Sequence, residues 1–454
     1  MEKPFTSTGS GAYTVSSLLS DMQTGALSSR TLLDTCLDPI ADPHGEGERT
    51  FTRVYTNRAR QEADAAYQPG NLPRPLEGLP VSVKDLFDVE GDTTTAGSRV
   101  LTAAPPAKQD AEIVARLRRA GAVIVGRTNM TEFAYSGVGL NPHYGTPRNP
   151  YQRAEALIPG GSSSGAAISV TDGMAAVAIG TDTGGSVRIP AALCGLTGWK
   201  PTARRIPMDG AVPLAPSLDS VGPIGWTVDC CARLDAVLSG SAYEPTPRLE
   251  LSSLRLGVLQ GYVLDALDEE VSSAFQRALA VLSDAGARVE TVHLDALERI
   301  PYSNQSAATE AYAWHRTLLE AESHRYDPHV SARILHGAGV LAADYLDLQR
   351  VRREIIRAAD VAFAGFDAIL LPTVPRIAPP IASLEGSDSV YFDVNGAMLR
   401  NTSIFNFLDG CALSIPCHTP GEAPVGLMIA GCHGRDMHVL HVGSAIEAAL
   451  RPIR

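Results

Sequence analysis

Two clusters of glycine and serine, Gly160-Gly161-Ser162-Ser163-Ser164-Gly165 and Gly184-Gly185-Ser186, bracket a short apolar run from Ala175 to Ile179. Glycine accepts φ > 0 and lets backbone N–H groups crowd around a bound group. An array of such donors can stabilise an oxyanion as it develops. A serine at the end of the array is placed to attack. Ser186 is therefore the candidate nucleophile, and the loop before it the candidate oxyanion hole. A serine hydroxyl is a poor nucleophile until a base takes its proton. Two kinds of base are open. One is histidine with an orienting acid, and the chain holds 11 histidines. Gly161-Ser162-Ser163-Ser164-Gly165 even matches the G-x-S-x-G elbow, with Ser163 at its centre. That elbow needs an apolar strand running straight into the turn, and here Ala156 to Gly160 follows a polar loop. The other is Lys84, if burial keeps its amine neutral.

Those residues need elements to hold them. Val81 and Val83 alternate with polar neighbours, which predicts a short strand ending at Lys84. Val15 to Leu37 reads as helical with a break at Gly25, and Arg58 to Tyr67 as a second helix. Asp110 to Ala120 is an amphipathic helix stopped by Gly121, and Ala122 to Val125 an apolar β-branched strand. Asn141 to Pro159 is a loop. Gly198 to Thr202 and Pro207 to Pro223 read as irregular, as functional loops often do. In the later half, Leu254–Leu259, Val289–Val292, Ala368–Leu371 and Val425–Ala430 read as strands. Asp268–Ala285, Ser306–Ala321, Ala342–Phe363 and Met437–Leu450 read as helices, and Arg376 to Asp393 as a mobile loop. This rhythm predicts an α/β layer fold. No repeat or low-complexity linker divides the chain, so one domain over residues 1–454 is expected.

Composition narrows the function classes. At 44% hydrophobic and 19% charged, the 454 residues are those of an ordinary globular protein. The formal charge of −12 argues against a broad nucleic-acid surface. Seven cysteines with no C-x-x-C pair point to free buried thiols in a reducing compartment. Met1 to Tyr13 has no apolar signal core, and no run approaches the roughly 18 apolar residues of a membrane span. A cytoplasmic enzyme is the expectation.

Taken together, three motifs resemble the amidase signature family. They are Val83-Lys84-Asp85, Gly160 to Gly165, and Gly180-Thr181-Asp182-Thr183-Gly184-Gly185-Ser186-Val187-Arg188-Ile189-Pro190. Ser186 follows Ser162 by 24 residues, as the family has it. Further matches lie at Thr95 to Ser98, Gly126 to Phe133, Lys200 to Thr202, Asp219 with Gly222-Pro223, and Pro424 to Leu427, so the likeness covers nearly the whole chain. It implies a single α/β/α domain with a mixed, mostly parallel sheet. The motif region would be 75–230, and 231–454 would complete the domain with pocket loops. It implies that Ser186 is acylated, that Ser162 on a cis peptide relays a proton, and that neutral Lys84 is the base. Thr183, Gly184 and Gly185 would supply oxyanion N–H groups with Ser186. Asp182 and Arg188 would hold their loop. Met130, Gly161 and Ser163 would lie against the substrate. No histidine, metal or cofactor is implied.

The resemblance leaves the substrate open among amides, carbamates, ureas and glutamine. A small or aryl-substituted amide or carbamate is expected, with ester hydrolysis as a side activity. The first alternative is a glutamyl-tRNA amidotransferase A-type subunit. In that branch an acid reads the glutamine amine, and Leu399 to Asn406 offers none; Asn406 to Cys411 also departs from N-L-A-G-x-P. A Ser-His-Asp esterase and a binding protein that has lost its chemistry are lesser alternatives. Tyr135, Tyr144, Tyr302, Tyr326 and Phe405 are candidate pocket aromatics. By analogy with relatives, a homodimer without nucleic acid or membrane partners is the expected assembly.

Overall fold

The structure, a computed structural model, describes residues 14–67, 74–247 and 249–451; for 301–304 it describes the backbone alone. The reading of residues 1–13 as lacking a signal lies outside the described residues, as does the side chain of Tyr302.

Eleven strands form one sheet: β1 (Phe51–Val54), β2 (Pro80–Lys84), β3 (Val123–Thr128), β4 (Val177–Asp182), β5 (Thr197–Lys200), β6 (Ser220–Gly225), β7 (Arg255–Leu259), β8 (Arg288–Val292), β9 (Ala368–Pro372), β10 (Cys411–Pro416) and β11 (Gly426–Gly431). Their order is β1-β3-β2-β4-β6-β5-β10-β11-β9-β7-β8. Successive strand residues point to opposite faces, and here both faces are covered. Leu413, Ile415, Leu427 and Ile429 join one apolar cluster, while Ala412, Met428 and Ala430 join another. In β4, Val177 and Ile179 face one cluster and Ala178 a second, which it shares with Ala166, Ile168 and Val170 of the helix Ser164–Thr171.

The α/β class holds, and the balance of the sheet is corrected. The pairs β2–β3, β2–β4, β7–β8 and β7–β9 are parallel. The other six of the ten pairings are antiparallel. The antiparallel centre is built largely from β5, β6 and β10. Two of these, β5 and β6, fall in stretches whose glycine and proline read as irregular. Pro223 sits inside β6 opposite Ile179, and the pairing of β6 with β5 covers only Ile224 and Gly225. The expected loop at Arg376–Asp393 is also corrected. It holds the helix Ile381–Glu385 and the start of the helix Asp388–Phe407, whose Ser387 side chain caps the Val390 N–H. No helix among the described residues is long and apolar enough to cross a membrane.

Candidate active site

The site forms at the C-terminal ends of β2 and β4. Parallel pairing sets Val83 beside Ile179, so Lys84, the last residue of β2, lies beside the C-terminal end of β4. Lys84 Nζ donates to Ser162 Oγ at 2.7 Å and to Thr181 Oγ1 at 2.9 Å. Lys84 and Ser162 are fully buried. Burial pushes the Lys84 amine down to about 7, against the opposing pull of Asp182 and Asp219. The Gly161–Ser162 peptide is cis, as the family likeness implies. The Ser162 carbonyl accepts from Thr131 N–H at 3.1 Å, and the helix Ser164–Thr171 begins two residues on. Gly165 lies so close to this frame that a Cβ there would stand 2.4 Å from the Thr50 carbonyl oxygen.

The second loop leaves β4 at Asp182 and turns through Thr183 to Ser186. Ser163 N–H donates to the Ser186 carbonyl at 3.2 Å, which ties the two serine loops together. Gly185 has φ +137, and a Cβ on it would lie 2.2 Å from Thr402 Oγ1. Both counts require glycine there. Among the described residues the N–H groups of Gly184, Gly185 and Ser186 donate to no acceptor, whereas those of Val187 and Arg188 donate to Asp182 Oδ2. Asp182 is the anchor of this loop. It takes Arg188 Nη2 at 2.8 Å and Nε at 3.0 Å, and Asn406 Nδ2 at 2.9 Å, all buried. Burial alone would raise its carboxyl, but the Arg188 charge and hydrogen bonds, with Lys200 and Asn406, hold it at about 2. Thr183 Oγ1 donates to Asp219 Oδ1 at 2.5 Å, which gives Asp219 a place in the same frame.

Ser186, Thr183 and Gly184 line a small inner cavity of about 40 Å³. Tyr135, Ala307, Arg333, Leu399 and Ser403 belong to its wall and also to that of an outer cavity of about 410 Å³. The structure therefore brings Lys84 to Ser162, and Ser186 with Thr183 and Gly184 to the cavity. It does not bring Met130, Gly161 or Ser163 to the wall of either cavity. Asn141 Nδ2 occupies the Met130 carbonyl at 2.7 Å, and Gly161 N–H is spent on the Gly137 carbonyl at 2.8 Å. Ser163 Oγ turns back toward the Thr181 carbonyl at 3.4 Å. No strand leads into Ser163, so the elbow reading lacks its support. No histidine lines the inner cavity among the described residues; buried His315 contacts Tyr326 Oη through Nδ1 at 2.9 Å.

Of the candidate aromatics, Tyr135 alone reaches the cavities among the described residues. Tyr326 packs on Phe133 and His315, and Phe405 sits in the core. The sequence reading passed over Thr181, Arg333, Asn395 and Ser403. Only Thr181 carried a signal, standing inside the third motif two residues from Thr183. Among the described residues no three His, Cys, Asp or Glu side chains are grouped to hold a metal ion. The seven cysteines are free, six buried and Cys432 half-buried.

A family model described as Amidase matches residues 47–440. The 2-amino-5-chloromuconic acid deaminase of Comamonas testosteroni is 36% identical over 434 residues, covering 93% of both chains. The A-type subunit of the glutamyl-tRNA(Gln) amidotransferase of Chromohalobacter salexigens is 33% identical over 477 residues, covering 96% of both. A crystal structure of an amidase superposes with a TM-score of 0.86 at 32% identity, covering 96% of this chain and 99% of that one. The motifs, the sheet and these likenesses agree: the chain belongs to the amidase family, as an amidohydrolase acting on amide carbon–nitrogen bonds.

Proposed function

We propose that this protein hydrolyses the carbon–nitrogen bond of a small linear amide or carbamate through an acyl-enzyme on Ser186. The observation that carries the reading is the buried 2.7 Å contact between Lys84 Nζ and Ser162 Oγ. An ammonium there would be costly, because its partners are hydroxyls and not carboxylates. A neutral amine instead offers a lone pair to the Ser162 proton. As Ser186 Oγ attacks the carbonyl carbon, its proton passes to Ser162, and the Ser162 proton passes to Lys84. The carbonyl electron pair moves onto oxygen, which the Thr183, Gly184, Gly185 and Ser186 N–H groups would stabilise. Collapse of the tetrahedral adduct breaks the carbon–nitrogen bond, and the proton returns through Ser162 to the departing amine. Water then repeats the sequence on the acyl-enzyme. Hydrolysis fits the cavity better than glutamine-fed transfer. The helix Asp388–Phe407 offers Leu399, Ser403 and Asn406 to the inner cavity, with no acid to hold an ammonium group.

A fluorophosphonate probe tests this directly. Peptide mass spectrometry is expected to find the adduct on Ser186. An adduct on Ser163 or on another serine would overturn the assignment. A hydrolysis panel of alkanamides, anilides, carbamates, ureas and glutamine, read by amine or ammonia release, then sets the substrate class. The oxyanion loop gives a separate expectation. Gly185→Ala forces the loop off Thr402 and misaims its donors, so kcat is expected to fall by roughly 10²–10³-fold, the cost of one lost oxyanion donor. An unchanged kcat in steady-state assays would remove the loop from that role.

A further inference from the structure

The cavity that opens from Ser186 has Arg333 and Arg400 in its wall, and no aspartate or glutamate among its described lining residues. This is notable in a chain with 50 acidic and 38 basic residues. Buried Arg352 is met by three backbone carbonyls, whereas the fully buried Arg188 is paired with Asp182 and Arg127 with Asp85. Arg333 has no such partner among the described residues. Its Nη1 donates to the Tyr135 carbonyl at 2.6 Å, and its guanidinium carbon lies 4.3 Å from the centre of the Tyr135 ring. Those contacts fix the half-buried side chain along the wall, and its Nε and Nη2 donors meet no acceptor among the described residues.

The neighbours are donors too. Asn395 lines the outer cavity, and its Oδ1 is occupied by Ser136 Oγ at 2.9 Å and Gly137 N–H at 2.8 Å. That leaves its Nδ2 amide as the free end. The Ser403 hydroxyl lines both cavities. Arg400 adds positive charge further out, steadied by the Asp265 carbonyl at 2.7 Å.

We propose that the substrate is an amide that also carries a carboxylate, which Arg333 holds together with Asn395 and Ser403 while the amide carbonyl faces Ser186. The inference rests on the hydrolysis reading above. A guanidinium matches a carboxylate in a planar, two-point pairing that is stronger away from water. The wall offers nothing to neutralise an α-ammonium group. The substrate class is therefore a monoamide of a dicarboxylic acid and not an amino-acid amide.

The test measures kcat/KM for succinamate, glutaramate and adipamate, each paired with the alkanamide in which a methyl group replaces the carboxylate. The wild type is expected to prefer the acid of a pair by roughly 10- to 100-fold, mostly through KM. Arg333→Gln keeps a donor for the Tyr135 carbonyl but loses the charge, and the acid-to-neutral ratio is expected to fall to within about threefold of one. Arg333→Lys is expected to restore part of the ratio. Equal turnover of acids and alkanamides by the wild type, or a ratio unchanged in Arg333→Gln, would overturn the carboxylate assignment and leave hydrolysis standing. Failure to hydrolyse any amide, together with no labelling of Ser186, would remove the hydrolysis reading and this one with it.

Discussion

Ser186→Ala is expected to abolish turnover, with a loss on the order of 10⁴–10⁶-fold, since the covalent route ends when its nucleophile is removed. Neighbouring hydroxyls offer no rescue. Ser136 and Ser403 share the inner cavity wall, but Ser136 Oγ donates to Asn395 Oδ1 at 2.9 Å, and neither belongs to the Lys84–Ser162 pair. The variant is expected to stay folded, with a melting temperature within about 3 °C of the wild type, since one hydroxyl facing a cavity contributes little to stability. Ser163→Ala is the control. Its Oγ is buried and turned away from the cavity, so activity within about tenfold of wild type is expected. Steady-state assays of both variants with one amide decide the matter. A Ser186→Ala enzyme within tenfold of wild type, or a dead Ser163→Ala enzyme beside it, would transfer the chemistry to the elbow serine.

The contrast between those two serines separates what the sequence marks from what only the fold reveals. Ser186 stood out in the sequence at the end of a glycine-rich array, whereas Lys84 and Ser162 were marked by the family resemblance, through motifs in order and at matching spacing. Gly185 belongs to that array, and its φ and its contact with Thr402 exclude any Cβ. Arg333 was not legible. It reaches the cavity from the helix Pro328–Leu335, and nothing near it in the chain marks which way it points. The helix Asp388–Phe407 was hidden for a different reason. Its buried face includes Asn395, Asn401, Thr402 and Asn406 besides Tyr391, Met398 and Phe405, so the apolar period is diluted where hydrogen bonding to the site loops is needed. Asn406 bonds Asp182, and Thr402 Oγ1 donates to the Gly184 carbonyl at 2.6 Å. The same holds for the sheet. Trp199 and Lys200 of β5 and Pro223 of β6 sit among glycines and turn residues that imitate a loop, so the antiparallel centre they build was hidden from the sequence.

Lys84→Ala is expected to lower kcat/KM by roughly 10²–10⁴-fold, the usual contribution of a positioned general base. Lys84→Arg is expected to do no better, because a guanidinium stays charged across the accessible pH range. The wild-type pH profile carries the sharper expectation. With the amine held near 7 by burial, the neutral, active fraction grows as pH rises and levels off above that value. At pH 6 the rate is expected at about a tenth of its plateau. The same depression works against folding, and the sign follows from proton counts. Between about 7 and 10.5 the unfolded chain holds a proton on this lysine that the folded chain does not, so stability rises with pH through that window. Below it the buried charge costs on the order of 5 kcal/mol relative to a neutral amine. Lys84→Met removes the charge while filling the space. Its stability relative to wild type is therefore expected to be greatest near pH 6 and to shrink steadily toward pH 10, as read by denaturant unfolding at each pH. A difference that stays flat across the series, beside a kcat/KM profile without a rise near 7, would mean that the amine remains charged in the folded enzyme and that the proton of Ser162 goes elsewhere.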